Sequence, residues 1–287
     1  MSELKQPLVS VNGVLGAMIS PLDRGFAYGD GLFETIRVQS GGVPLWPFHE
    51  QRLSLGAGRL GIRFSRSDLH QYRDDMLAQA ASGNAPDGVL KLILTRGAGG
   101  RGYLAPENGE PTLCLMLYPQ AVPLGDNHGV TVKLCQYRLA DNPALAGIKH
   151  LNRLEQVLAR SEWRDGPWTE GLLLNQRGEV VEATASNLFA VLNGELLTPD
   201  LSNAGVAGVA RRLIIDCLAP SIGLVVKEVP LPLDALSTAE EVFLCNSVKG
   251  ITPVAVMDLG DRVSLPVGPV TRRLQEAFNH QLECGLV

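Results

Sequence analysis

The stretch Gly147-Ile148-Lys149-His150-Leu151-Asn152-Arg153-Leu154-Glu155-Gln156-Val157-Leu158-Ala159-Arg160 sets a lysine between a loop and a helix. Ile148 and Leu151 flank the lysine, and the spacing beyond it predicts a helix from about Arg153 to Trp163. A solvated lysine titrates near pH ~10.4, whereas apolar surroundings favour the neutral amine that can attack an aldehyde. The chain has only six lysines, at positions 5, 91, 133, 149, 227 and 249, so a lysine with covalent work to do has few rivals. Taken alone, however, Lys149 also reads as a solvated residue at a helix start.

Working outward, Glu179-Val-Val-Glu182-Ala-Thr-Ala-Ser186-Asn187-Leu-Phe189 puts Glu182 at the end of an apolar strand, before a loop of small residues. A carboxylate there can hold a pyridine nitrogen protonated, and it can equally be a surface glutamate. Gly205-Val-Ala-Gly208-Val209-Ala210-Arg211 turns directly into a helix, whose first N–H groups and positive dipole end suit a phosphate. A flexible turn at an ordinary helix start fits those residues as well. Arg52 in His49-Glu-Gln-Arg52-Leu53 could grip a phosphate with two N–H groups, although most helix arginines are solvated. Arg96-Gly-Ala-Gly-Gly-Arg101-Gly-Tyr103 lacks the closing Gly-Lys-Ser/Thr of a phosphate-binding P-loop and does not fit G-x-G-x-x-G. It reads as an active-site loop or a surface turn.

Around these segments the chain alternates strands and helices. Strands are predicted at Val9–Val11, Phe33–Gln39, Gly88–Thr95, Thr112–Leu117, Val130–Tyr137, Leu172–Asn175, Glu179–Glu182, Asn187–Leu192, Val225–Val229 and Glu241–Leu244. Helices are predicted at His49–Gly61, at Leu69–Ala81 capped by Ser67-Asp68, at Val209–Leu218 and at Val270–Leu282. Asn12-Gly13 and Gly41-Gly42 mark hairpins. The extended run Tyr118-Pro-Gln-Ala-Val-Pro-Leu-Gly125 suggests a boundary, giving a domain over 1–118, a linker over 119–125 and a larger cofactor-binding domain over 126–287.

Composition narrows the class. Over 287 residues, 45% are hydrophobic and 19% charged, which is globular and leaves no low-complexity segment. A net charge of −5 without a basic cluster argues against nucleic acid. No apolar run approaches the roughly 18 to 20 residues that a membrane helix needs, and no apolar signal core opens the chain. The expected location is the cytoplasm. Five scattered cysteines without a C-x-x-C pair predict reduced thiols and no metal site.

In order, Asp23-Arg-Gly-Phe-Ala-Tyr28-Gly-Asp-Gly31, Phe33-Glu-Thr-Ile-Arg37, His49-x-x-Arg52-Leu, the Lys149 segment, Glu182 with Ser186-Asn-Leu-Phe189, Gly205-Val-Ala-Gly208, and Asn246-Ser247 before Ile251-Thr-Pro-Val254 resemble the fold-type IV pyridoxal-phosphate family. That family holds branched-chain aminotransferases, D-amino-acid aminotransferases and aminodeoxychorismate lyases. The resemblance runs from about Val9 to Val254. It implies a mixed α/β fold, with a small N-terminal α/β domain and a larger C-terminal domain around a β-barrel-like core. It also implies an active site between them, pyridoxal 5'-phosphate as cofactor and a homodimer.

Position by position, the resemblance implies that Lys149 carries the cofactor as a Schiff base and moves protons, and that Glu182 faces the pyridine nitrogen. It implies that Arg52, the Gly208 turn with the N–H groups of Val209 and Ala210, and Ser247 hold the phosphate. Gly147–Arg160 and Arg96–Tyr103 are most similar to the lyases. The implied reaction is conversion of 4-amino-4-deoxychorismate to 4-aminobenzoate and pyruvate, the alternative being transamination of D-amino or branched-chain amino acids. Tyr28, Arg101 and Tyr103 are the candidates for the substrate carboxylates. Asn246-Ser-Val-Lys-Gly is not the form shared by every lyase, and that loop can affect substrate choice.

Overall fold

The computed structural model describes residues 6–83, 85–107 and 109–284. Its contacts divide the chain into two units, Met1–Val122 with Lys149–Asn152, and Pro123–Ile148 with Arg153–Val287.

The first unit contains β1 (Leu8–Val11), β2 (Val14–Leu15), α1 (Arg24–Tyr28), β3 (Gly31–Val38), α2 (Trp46–Leu60), α3 (Arg66–Ser82), β4 (Gly88–Thr95) and β5 (Thr112–Tyr118). The strands form an antiparallel sheet in the order β2-β1-β5-β4-β3. Side chains alternate across a sheet, and here Leu32, Ile36 and Val38 of β3 and Leu90, Leu92 and Leu94 of β4 all turn to the buried side. Helix α2 packs on β3 and α3 on β1 and β5. The first hairpin turns through Asn12 and Gly13, both at positive φ, as the Asn-Gly pair requires. The second turns through Ser40 and Gly41, one residue earlier than Gly41-Gly42.

Helix α2 begins at Trp46 rather than His49, because Pro47 in the first turn fits a helix start that periodicity alone does not reveal. Helix α3 is capped by Ser65, whose hydroxyl accepts the Asp68 N–H at 3.1 Å, and not by Ser67-Asp68, which lie inside the helix.

The second unit contains β6 (Val130–Leu139), α4 (Leu154–Arg160), β7 (Trp168–Asn175), β8 (Glu179–Ala183), β9 (Asn187–Leu192), β10 (Glu195–Pro199), α5 (Val209–Leu213), a π turn over Ile214–Leu218 and α6 (Ala219–Ser221). It continues with β11 (Val226–Val229), β12 (Leu231–Pro232), α7 (Leu233–Leu236), β13 (Glu241–Asn246), β14 (Gly250–Asp258), β15 (Arg262–Ser264) and α8 (Pro269–Cys284). A mixed sheet runs β11-β10-β9-β13-β14-β6-β7-β8-β12, with β15 beside β14. Strand β8 also approaches β9 and β10, so the sheet nearly closes into a barrel. Its interior is filled by Val132, Leu172, Leu174, Leu188, Ala190, Val242, Leu244, Val254 and Met257. The fold is therefore mixed α/β, a small N-terminal unit followed by a larger one with a barrel-like core. Strands β10 and β14 were not expected, α4 stops at Arg160 rather than Trp163, and the helix expected over 209–218 changes pitch at Ile214.

Candidate active site

In the first unit, Lys149 is fixed by its own backbone. Its carbonyl accepts the Phe33 N–H at 3.0 Å, and Leu151 N–H donates to Gly31 O at 3.0 Å. The segment thus takes up the outer edge of β3, where an unpaired strand still offers hydrogen bonds. A Cβ on Gly31 would lie 2.9 Å from Leu151 Cδ1 and 2.5 Å from Leu94 O, so this approach needs glycine. Asn152 Nδ2 donates to Gly29 O at 3.1 Å. The glycines of Tyr28-Gly-Asp-Gly31 thereby admit the lysine segment. Lys149 is half-buried, and its Nζ sits 4.4 Å from the centre of the Phe33 ring.

One position further along β3, on the inward face, lies Glu34, which is 1% exposed. One of its carboxylate oxygens accepts Arg52 Nε at 2.8 Å. The other accepts Arg52 Nη2 at 2.5 Å and meets His49 Nδ1 at 2.6 Å. Burial pushes the Glu34 carboxyl up, but Arg52 and His49 overcome it and hold it down to about 2. For His49, burial lowers the imidazole pKa more than Glu34 raises it, and the charge of Lys149 lowers it further. Of this cluster, only Arg52 was assigned a role from sequence. Glu34 could have been found, because it interrupts an otherwise apolar inward alternation of Leu32, Ile36 and Val38.

Of the substrate candidates, Tyr28 and Tyr103 come together edge to face, their ring centres 5.7 Å apart. Buried Arg24 of α1 holds the loop of Tyr103, donating to Asp30 at 2.9 Å and to the carbonyls of Gly102 and Tyr103 at 3.0 Å each. Asp30 also accepts Arg96 at 2.7 Å, and the two arginines keep its carboxyl below the usual range despite burial. Arg101 is exposed on the same loop.

In the second unit, Glu182 is 5% exposed and accepts the Val206 N–H at 2.8 Å. Gln156 Nε2 lies 3.4 Å from its other oxygen. Arg153 is the nearby cation: burial lowers its pKa, and Glu182 opposes that shift. The turn carrying Val206 exchanges hydrogen bonds with Gly147, which donates to Gly205 O at 2.9 Å and accepts Ala207 N–H at 3.0 Å. Gly208 then starts α5 without a side-chain cap, so no cap takes up the first N–H groups at Val209 and Ala210. Asn246 Oδ1 accepts the N–H groups of Val248 and Lys249 at 3.0 and 2.8 Å, fixing the turn that bears Ser247. That turn is tied through Asn246 Nδ2 and Ser186 Oγ to Glu170, which Ser186 reaches at 2.8 Å. Gln156, Arg153 and Glu170 were not singled out from sequence, since each is a common residue with no motif of its own. Among the described residues, no group of three or more His, Cys, Asp or Glu could hold a metal ion.

Residues 31–257 match the family model for amino-transferase class IV, and the chain belongs to that family. Within it, the chain is 35% identical over 275 residues to an aminodeoxychorismate lyase of Vibrio harveyi, covering 94% of this chain and 98% of that protein. The crystal structure of 4-amino-4-deoxychorismate lyase from Pseudomonas aeruginosa superposes with a TM-score of 0.87 at 44% identity, over 95% of this chain and 98% of that one. Escherichia coli branched-chain amino acid aminotransferase superposes with a TM-score of 0.81 at 27% identity, over 96% and 94%.

Proposed function

We propose that this chain is a pyridoxal 5'-phosphate-dependent lyase that converts 4-amino-4-deoxychorismate to 4-aminobenzoate and pyruvate. The observation that carries the reading is the anchoring of Lys149 at the β3 edge through its own carbonyl and the Leu151 N–H, in a chain 35% and 44% identical to two aminodeoxychorismate lyases.

The residues present fit the cofactor. A phosphate dianion calls for N–H donors and a cation; the second unit offers the first at the start of α5, which has no side-chain cap, and the first unit offers the second in Arg52. A pyridinium nitrogen calls for a carboxylate kept out of water, which Glu182 offers. When bound, the cofactor supplies an electron-poor ring that draws an electron pair away from the substrate carbon bearing nitrogen.

The chain's residues then divide the work. Lys149 would hold the cofactor through its aldehyde, and the lysine amine would act as the base that takes the proton from the substrate ring carbon bearing nitrogen. Glu182, held by the Val206 N–H, keeps the pyridine nitrogen protonated. Arg52, Gly208, Val209, Ala210 and Ser247 anchor the phosphate. Tyr28, Arg101 and Tyr103 receive the substrate carboxylates. The three-carbon enolpyruvyl group leaves as its enolate, and one proton, equal to the one removed from the ring carbon, adds to its methylene carbon to give pyruvate. The six-membered ring becomes aromatic, which draws the reaction forward.

The same proposal makes the enzyme a cytoplasmic homodimer. Support comes from cysteines that all stay free thiols, and from an apolar face on the first unit where Met18 is 91% and Phe26 79% exposed.

The test is to supply 4-amino-4-deoxychorismate and measure 4-aminobenzoate. Wild type should form it, and Lys149→Ala should lose on the order of 10³-fold or more in rate. Undiminished turnover by Lys149→Ala removes the lysine from the chemistry. The likeness to the branched-chain aminotransferase keeps transamination as the second reading. Rapid conversion of bound cofactor to its amine form by leucine or D-alanine, without 4-aminobenzoate, would select it.

A further inference from the structure

We propose that Glu34 is a positioning residue that sets the phosphate-gripping edge of Arg52, with His49 fixing Glu34 in turn. The inference rests on the reading of Arg52 as a phosphate ligand given above.

Three direct contacts carry it. Glu34 meets Arg52 side-on, through Nε at 2.8 Å and Nη2 at 2.5 Å. This two-point contact fixes the plane of the guanidinium and turns the Nη1 edge away from Glu34. His49 Nδ1 lies 2.6 Å from the same carboxylate, and His49 is 1% exposed. With the imidazole neutral, Nδ1–H donates to Glu34 and restricts its rotation. His49 and Arg52 stand three apart on α2, on the same side of the helix, so one strand residue receives both.

Packing does not account for the arrangement. Position 34 is on the inward face with Leu32, Ile36 and Val38, where an apolar residue would avoid desolvating a carboxylate. An arginine whose task is to meet a phosphate has many rotamers to lose, and a rigid carboxylate removes most of them beforehand. Glu34 also partly neutralises Arg52, which weakens its pull on an anion. Orientation and charge therefore oppose one another, and the sign of the effect on phosphate binding is diagnostic.

The experiment compares pyridoxal 5'-phosphate with pyridoxal, which keeps the aldehyde and lacks the phosphate. Apoprotein is titrated with each, and the ratio of the two dissociation constants isolates the phosphate contribution from any general loosening. Arg52→Ala should shrink that ratio by about a hundredfold. Glu34→Gln should shrink it by about tenfold, and Glu34→Asp, which keeps the charge but shortens the reach, should shrink it too. The Glu34→Gln change should add little in an Arg52→Ala background. His49→Gln supplies the same readout should a Glu34 variant not fold. If Arg52→Ala leaves the ratio unchanged, the phosphate role of Arg52 is wrong, and this inference goes with it. If Arg52→Ala shrinks the ratio while the Glu34 and His49 variants leave it unchanged or enlarge it, Arg52 stands and the positioning role is overturned.

Discussion

Glu34 and His49 are buried ionisable groups whose folded-state pKa values both lie below their ordinary ones, and this gives the protein a defined response to acid. A carboxyl held down to about 2 against an ordinary 4.5 contributes stability that is complete above pH 4.5 and is lost as pH falls toward 2. An imidazole held below its ordinary 6.5 costs nothing above that pH, and below it the unfolded chain takes up the proton first. Both contributions therefore decline in the same direction. Melting temperature should fall steadily from about pH 6.5 downward and keep falling below pH 4.5. The double variant Glu34→Gln, His49→Leu should be about 3 kcal/mol less stable at pH 7, because the buried ion pair between Glu34 and Arg52 is lost. Its melting temperature should also change less between pH 6.5 and pH 3. A profile as steep as that of wild type would show that the acid response arises elsewhere. At this scale the sequence is legible where a residue belongs to an ordered series of motifs, as Lys149, Glu182 and Arg52 do. Glu34 lies inside the Phe33–Arg37 motif, yet its meaning depends on which face of β3 is buried. Periodicity shows that only once the strand is placed.

Among the elements, the junction of β8, β9 and the start of α5 is sensitive to small changes. Gly208 has an ordinary backbone conformation, with φ −66°, so strain does not require glycine there. Crowding does: a Cβ would lie 2.0 Å from Asn187 Oδ1. Asn187 cannot easily retreat, being 6% exposed at the head of β9, with its Nδ2 donating to Val206 O at 2.8 Å. Gly208→Ala should push the Asn187 amide off Val206 and shift the N–H groups of Val209 and Ala210. We expect a loss of about 1–3 kcal/mol in stability and about tenfold weaker binding of pyridoxal 5'-phosphate. An unchanged dissociation constant would mean that these N–H groups do not hold the phosphate. The elements that escaped the sequence have local causes. Strand β14 contains Pro253, which argues against a central strand, yet Pro253 precedes the first β14–β6 pair, Val254 with Val130. The missing N–H therefore falls just outside that ladder. Strand β10 is five residues long and ends on a proline, too short for alternation to register.

At the scale of the whole molecule, the chain leaves the first unit after Val122, and Lys149–Asn152 belong to that unit again. Four residues carry no shift of composition, so only the hydrogen bonds to Gly31 and Phe33 reveal where they belong. The first unit buries Leu90, Leu92, Leu94, Leu115 and Leu117 completely, yet leaves Met18, Leu22, Phe26, Tyr103 and Leu104 between 74% and 91% exposed. The contact between Tyr28 and Tyr103 links the two exposed segments. Monomeric proteins rarely leave a patch of that kind in water, because each large side chain withdrawn from it gains roughly 1.5–3 kcal/mol. A second copy of the chain is the partner that the homodimer reading supplies. Light scattering should therefore give about twice the 30.8 kDa of a single chain at micromolar concentration. Phe26→Glu places a charge on the patch without touching the buried leucines, so it should lower the mass toward 30.8 kDa while the far-ultraviolet circular dichroism stays that of wild type. Turnover should fall with it, since the altered face includes the tyrosines assigned to the substrate. Wild type running as a single chain, or Phe26→Glu remaining at the dimer mass, would sever the exposed face from assembly and leave Tyr28 and Tyr103 to act on their own chain.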